Sequence, residues 1–162
     1  MRLLFLASDP TAGGELAETE LQHLYRHPLP SGRPVWLRSN FVTSLDGSIS
    51  GADGRSGSIN TASDQHVFAL HRAHADAVLV GAQTARAEGY RAVDLQPWQW
   101  AIRAEEGLSP FPLLAIVSRS LDLDPGLARH GDREVGPVMV LTSARRSTDQ
   151  IAPFTEIGRA HV

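Results

Sequence analysis

The chain has 162 residues, 42% of them hydrophobic and 20% charged, with a net charge of −3, as is typical of one globular domain with a substantial core. It has no cysteine, which excludes disulfides and thiolate chemistry, and it has no basic run that would indicate nucleic-acid binding. Without an apolar run of membrane-spanning length, we expect a single cytoplasmic domain spanning the whole chain.

The N-terminal part combines a helix, a linker and a strand. Residues 15–25 have the apolar spacing of a short helix. Three prolines and a glycine make residues 27–34 a linker, so residues 1–34 are interpreted as an N-terminal extension of the domain. Residues 35–43 are rich in aromatic and β-branched side chains and lead to the turn signal Asp46-Gly47, which predicts a buried strand.

A loop and a capped helix follow. Residues 48–58 are rich in glycine and serine and are expected to form a flexible loop over the site. Thr61 and Asp64 fit a capping box, in which each side chain satisfies a backbone amide of the other residue. The helix that begins there should run to about His74.

The second half of the chain alternates strands and helices. Apolar runs predict three strands, the first of them short and buried, at residues 77–80, 113–117 and 138–141. Helices are expected to begin at Thr84 and to lie on the surface at residues 97–106, and residues 122–136 form a long polar connection. This order indicates an α/β fold with a mainly parallel sheet.

The turn from Gly81 to Thr84 has the features of an anion site. It follows a strand and opens a helix, so free backbone amides and the positive end of the helix dipole would face an anion. Gly81 would let the backbone approach a diphosphate closely, and Thr84 adds a hydroxyl. An ordinary strand-to-helix turn explains the same residues, and the Gly-x-Gly-x-x-Gly pattern of the usual dinucleotide fold is absent.

Several polar residues have both a structural and a ligand-binding interpretation. Asp46 and Gly47 are expected to have a structural role rather than a ligand-binding one, with the Asp46 side chain binding amides of the turn. Asn40 would be polar within a buried strand and would need a partner, which a ligand can supply. Ser56 and Arg72 could contact a phosphorylated substrate, although a cation in the last turn of a helix also satisfies the dipole.

Three histidines, His66, His71 and His74, lie on or near one helix. A metal site is not expected there, because no cysteine, no His-Glu-x-x-His pattern and no suitably spaced acidic residue completes a ligand set. No Gly-x-Ser-x-Gly elbow is present either, and no residue is assigned as a catalytic acid, base or nucleophile.

Three motifs together resemble the pyrimidine reductase of riboflavin biosynthesis, the reductase domain of the bifunctional deaminase-reductase and a relative of dihydrofolate reductase. They are Asn40-Phe-Val-x-Ser-Leu-Asp-Gly47, Val80-Gly-Ala-x-Thr-x-Arg-Ala-Glu-Gly-Tyr90 and Ile116-Val-Ser-Arg-Ser-Leu-Asp-Leu-Asp124. The resemblance implies a dihydrofolate reductase-like three-layer sandwich around a mainly parallel sheet. It also implies hydride transfer from NADPH to C1′ of a ribosylamino-pyrimidine 5′-phosphate, giving the ribitylamino product, and a possible homodimer.

The resemblance assigns roles by position. It implies that the substrate contacts Asn40, Ser56 and Arg72, with Arg119 facing the cofactor's 2′-phosphate. The other implied cofactor contacts are Val42, Ser58, Thr61, Gly81, Thr84, Glu88 and Ser118. Asn40 stands where the bifunctional enzymes have lysine, and Ser58 where tryptophan is frequent. A dihydrofolate or pteridine reductase of the same fold, or a nucleotide-binding domain without turnover, therefore remains an alternative.

The end of the chain also departs from the family pattern. The later strand that ends in Glu-Gly-Gly is missing, so we expect a sheet that is incomplete at the C-terminus and a chain that is inactive by itself. Residues 156–162 match the translation of a common sequencing adapter, and we expect them to be a non-native tail.

Overall fold

A computed structural model describes residues 2–3, 14–27, 35–128 and 135–155 of the chain. The linker predicted at residues 27–34 and the polar connection at 122–136 therefore fall partly outside the described residues. The tail suspected at residues 156–162 falls wholly outside them.

The described residues form short strands and helices in an alternating order. The strands are β1 (Arg2–Leu3), β2 (Gly14–Glu15), β3 (Ala77–Gly81), β4 (Leu113–Val117) and β5 (Val138–Leu141). The α-helices are α1 (Glu18–Tyr25), α2 (Ala62–His74), α3 (Ala82–Glu88), α4 (Pro97–Glu105) and α5 (Thr148–Thr155). Short 3₁₀ turns lie at Ser56–Ser58 and Pro125–Ala128. None of the described helices is both long and apolar enough to cross a membrane.

Strands β3, β4 and β5 form a parallel sheet in that order. Val80 is opposite Ile116, which is opposite Val140, so β-branched side chains meet across the sheet on one face. Helices α3 and α4 lie between β3 and β4 in the chain, as a parallel crossover requires. The predicted α/β class and parallel sheet are confirmed. The main core on this face consists of Val80, Ala85, Ala92, Val93, Leu95, Leu114, Ile116, Leu127 and Val138.

The prediction that residues 77–80 form a fully buried strand is wrong. β3 lies at the edge of the parallel sheet, and its residues alternate between a covered and an open side. Val80 is buried, whereas Leu79 is 62% exposed. An edge strand with one face uncovered keeps only half of its apolar side chains from water.

A second core joins the helices. Leu21 of α1, Leu70 and Ala73 of α2, and Ile102 of α4 pack together. α4 is a surface helix, as predicted for residues 97–106, and its inner side, where Arg103 is also buried, packs in this core. This packing fixes the C-terminal part of α2 against α4.

The strand predicted at residues 35–43 does not form. Among the described residues, none pairs with this segment in a ladder, and a strand requires a neighbour that shares its backbone hydrogen bonds. Leu37 and Phe41 are 82% and 81% exposed, and Arg38 and Val42 are half-buried. Asn40, which was expected to be buried, is exposed.

The starts of two helices also differ from expectation, and one helix was not predicted. α1 begins at Glu18 instead of residue 15, because Gly14–Glu15 pairs with β1 in an antiparallel ladder. α3 begins at Ala82, two residues before Thr84, because Gly81 both ends β3 and caps the helix. Helix α5 was not predicted, and it contains Pro153, a residue that reads as a helix breaker in sequence.

Candidate functional site

The turn between β3 and α3 leaves open space at its glycine. Gly81 has an ordinary φ of −75°, so the backbone does not require glycine there. A Cβ added at Gly81 would meet no atom within 4 Å. Among the described residues, no side chain caps the first amides of α3, and Thr84 is exposed on its first turn. The predicted anion turn is thus accessible, and its helix amides lack a side-chain partner.

The other end of α3 is a tight chain reversal that needs glycine. Gly89 has a φ of 70° in the left-handed region, which costs a non-glycine residue energy. Its amide donates to the carbonyl of Arg86 at 3.3 Å, and the amide of Tyr90 donates to that of Ala85 at 2.8 Å. These two bonds form a Schellman motif, and the motif turns Tyr90 back along the helix.

Tyr90 and Phe68 both contact the guanidinium of Arg72. The central carbon of that group lies 4.4 Å from the ring centre of Phe68 and 5.3 Å from that of Tyr90, within the range of cation–π attraction. The Nε atom of Arg72 is buried without a hydrogen-bond partner. None of the ion pairs formed within the described part of the chain involves Arg72.

The same chain reversal holds the glycine-rich loop. The carboxylate of Glu88 accepts the amide of Ser56 at 2.7 Å. Within the loop, Asp53 accepts from the amide of Arg55 at 3.0 Å and from the hydroxyl of Ser58 at 2.8 Å. The predicted loop is therefore folded into defined turns, and Ser56 and Arg72 are both tied to residues 88–90.

The remaining residues predicted to contact ligands include two with structural hydrogen bonds. Ser118 is buried, and its hydroxyl accepts the amide of Leu121 at 3.0 Å, which stabilises a turn in which Leu121 has a φ of 59°. Arg119 is exposed beside it. Thr61 caps α2 by accepting the amide of Asp64 at 3.2 Å, which confirms one half of the predicted capping box.

Asp46 performs the structural role that was favoured for it. Its carboxylate accepts the hydroxyl of Ser44 and, at 3.1 Å, the amide of Ser48. These bonds lower the pKa of Asp46, the one from Ser44 most. Gly47 follows with a φ of 83°, a conformation that glycine adopts readily.

The three histidines of α2 face different partners. His66 lies 3.0 Å from a carboxylate oxygen of Glu18, His71 packs edge-on against Tyr25, and His74 lies 2.9 Å from Glu106. Nowhere in the described ranges do three or more such side chains form a group that could hold a metal ion.

Positive groups crowd the end of α2 near α1. Burial and the neighbouring Arg38 lower the pKa of both His27 and His71. Burial opposes ionisation of Glu106, but hydrogen bonds from His74 and from Arg26, the latter at 2.7 Å, outweigh it and lower the pKa of Glu106. Arg38 itself donates to the carbonyls of Tyr25 and Arg26 at the end of α1.

Arg103 is a buried polar residue that the sequence did not single out. It is 1% exposed, and its Nη1 donates to the carbonyls of Ala73 at 3.1 Å and Ala75 at 2.6 Å. Its Nε donates to the carbonyl of Ser109 at 2.6 Å. Arg103 therefore satisfies the last carbonyls of α2, next to Arg72. An arginine in an amphipathic helix ordinarily reads as a solvent-facing residue, so no sequence signal marked it.

The residues at the β3–α3 turn fit a dinucleotide in part. The open space at Gly81, the uncapped amides of α3 and the exposed Thr84 suit a diphosphate, and the exposed guanidinium of Arg119 suits a further phosphate. The hydroxyl of Ser118 and one carboxylate oxygen of Glu88 already accept backbone amides within the protein.

Comparison with known proteins identifies the family of the chain. The RibD C-terminal domain family matches residues 35–162. Among solved structures, a pyrimidine reductase-like protein from Corynebacterium diphtheriae superimposes with a TM-score of 0.58 and 27% sequence identity. The match covers 74% of this chain and 51% of that protein, so the chain spans about half the length of that relative. A search among curated proteins finds no match.

These observations define an α/β domain of the reductase-like fold. The chain belongs to the RibD C-terminal domain family, and the resemblance to the pyrimidine reductase of riboflavin biosynthesis is confirmed at the level of the domain type.

Proposed function

We propose that the protein is an NADPH-dependent reductase that converts a ribosylamino-pyrimidine 5′-phosphate to its ribitylamino product. The single observation that carries this proposal is the environment of Arg72. A guanidinium with a buried, unpartnered Nε needs an acceptor, and a phosphate monoester accepts from arginine through two parallel hydrogen bonds. In the family that the sequence motifs resemble, the position of Arg72 contacts the substrate phosphate.

Each end of α3 has its own role in this proposal. The N-terminal turn, with Gly81 and Thr84, would hold the cofactor diphosphate. The C-terminal reversal organises the substrate side, because Glu88 holds Ser56 at 2.7 Å and Tyr90 contacts Arg72. When bound, NADPH supplies a hydride to the ribosyl C1′, which with a proton from water opens the sugar ring to the ribityl chain.

Arg119 would select the cofactor. Its exposed side chain follows β4 at the carboxyl end of the sheet, where ligands of open α/β folds bind. An arginine facing the 2′-phosphate would favour NADPH over NADH. Val42, Ser58, Thr61 and Ser118 complete the proposed cofactor contacts, with Asn40 on the substrate side.

The second candidate function is the reduction of dihydrofolate or another pteridine. Dihydrofolate has no phosphate, and the carboxylates of its glutamate would be the acceptors for Arg72 instead. The two are separated by steady-state assays with each substrate, on the protein expressed from its complete source reading frame. Reduction of the phosphorylated pyrimidine supports the proposal, and reduction of the pteridine alone contradicts it. NADPH binding without oxidation by either substrate would indicate a nucleotide-binding domain without turnover.

A further inference from the structure

We propose that Phe68 and Tyr90 act as positioning residues that fix the Arg72 guanidinium as a rigid receptor for a phosphate monoester. The two rings are called the aromatic clamp below. The assignment of Arg72 to a phosphate comes from the proposed function, on which the role of the clamp therefore rests.

The aromatic clamp contacts Arg72 without using its hydrogen-bond donors. The central carbon of the guanidinium lies over both rings, at 4.4 and 5.3 Å from their centres. Aromatic rings attract the faces of a guanidinium, whereas its N–H donors project in the plane of the group. Contacts on the faces can therefore hold the side chain without consuming the donors that a phosphate requires.

The contacts of Arg72 differ from those of other arginines in the described part of the chain. Arg26, Arg86 and Arg91 each form an ion pair with a carboxylate. Arg72 forms none within the described ranges, and its Nε is buried and unpaired. Arg103 satisfies its Nε with the carbonyl of Ser109, and its own unpaired buried nitrogen among the described residues is Nη2.

Two separate parts of the backbone set the clamp. Phe68 lies one helical turn before Arg72 on α2, so the two side chains are neighbours on one face. Tyr90 arrives from α3 through the left-handed Gly89 and the Schellman bond of 2.8 Å to Ala85. The guanidinium is thus placed where α2 meets the reversal that also holds Ser56. Restricting its rotamers before binding lowers the entropy lost on association.

The test uses the 162-residue chain, with inorganic phosphate as the probe. The variants are Tyr90→Leu and Phe68→Leu, which remove a ring but keep apolar bulk, and Tyr90→Phe, which keeps the ring. Trp100→Leu is the matched control, because it removes a ring from the edge-to-face pair with Phe111, away from Arg72. Thermal unfolding of each variant identifies any loss of fold.

Two readouts separate the clamp from the reductase activity. The first is the NMR signal of the Arg72 Nε–Hε group, which ring currents from the clamp should displace in the unliganded protein. It should move toward the position of a free arginine in Tyr90→Leu and Phe68→Leu, but not in Tyr90→Phe or Trp100→Leu. The second is the dissociation constant for phosphate, which should rise about threefold to tenfold in the two ring-removing variants and recover in Tyr90→Phe.

Each outcome decides the proposal. An Arg72 signal that is unchanged in folded Tyr90→Leu and Phe68→Leu overturns the clamp, and so does an unchanged phosphate affinity in both variants. The loss of both properties in those variants alone supports it. Failure of the proposed function would appear elsewhere, as an absence of pyrimidine-dependent NADPH oxidation by the protein expressed from its complete source reading frame, while the Arg72 signal and phosphate affinity still depend on the two rings.

Discussion

Replacing Arg103 by methionine should destabilise the protein strongly, because the side chain holds the end of α2. The substitution keeps an apolar stem of similar length but removes donors to the carbonyls of Ser109, Ala73 and Ala75 at 2.6, 3.1 and 2.6 Å. A hydrogen bond to a charged group contributes about 1.5–3 kcal/mol. Burial disfavours the charged guanidinium and lowers the pKa of Arg103, which offsets part of that gain.

Counting the two short bonds at the lower end of that range gives a loss of about 3 kcal/mol in the free energy of unfolding. For a domain of this size, the melting temperature should fall by about 6–12 °C. Denaturant unfolding followed by circular dichroism measures the loss, with Arg145→Met as the control, since Arg145 is exposed. A change of less than about 0.5 kcal/mol, the ordinary range for surface substitutions, would refute the role of Arg103.

Three further predictions concern the cofactor turn, cofactor selection and pH. Gly81→Ala should alter the free energy of unfolding by less than about 1 kcal/mol, since the added Cβ meets nothing within 4 Å. The same substitution should weaken NADPH binding at least about tenfold. Calorimetric titration that finds equal NADPH affinity contradicts the diphosphate role of the turn. Arg119→Ala should weaken NADPH about tenfold or more and leave NADH unchanged, and a parallel loss for both cofactors would exclude contact with the 2′-phosphate. Stability should fall as the pH drops below about 6.5, because the lowered pKa values of His27 and His71 mean that the unfolded chain binds more protons in that range. Combined glutamine substitution at both histidines should flatten this pH dependence. An unchanged slope of the unfolding free energy against pH would contradict the role of the two histidines.

The elements that were predicted well are those whose signals are local. β4 and β5 were located to the residue, because the proline, glycine and polar residues beside each continuous apolar run mark where the strand begins and ends. Helix α2 was located because the hydroxyl of Thr61 caps it at 3.2 Å, a contact that depends on residues three apart. The turn role of Asp46 is equally local.

The errors concern contacts between distant parts of the chain. Residues 35–43 have the composition of a strand, but strand formation depends on a pairing partner that composition does not reveal. The burial of Arg103 depends on carbonyls about thirty positions away in α2, and the contact of Tyr90 with Arg72 joins two helices. Resemblance to a family indicated Ser56 and Arg72 by position. Their attachment to residues 88–90 was not visible in the sequence, because it arises from the Glu88 bond and the left-handed Gly89.

The most direct test of the proposed reaction follows the transferred hydrogen. The protein expressed from its complete source reading frame is incubated with a ribosylamino-pyrimidine 5′-phosphate and NADPH that carries deuterium in place of both C4 hydrogens, and the product is analysed by mass spectrometry and NMR. We predict a ribitylamino product with a single deuterium at C1′, formed at the rate of NADPH oxidation. NADPH oxidation without deuterium at C1′, or no ribitylamino product at all, would contradict the proposal.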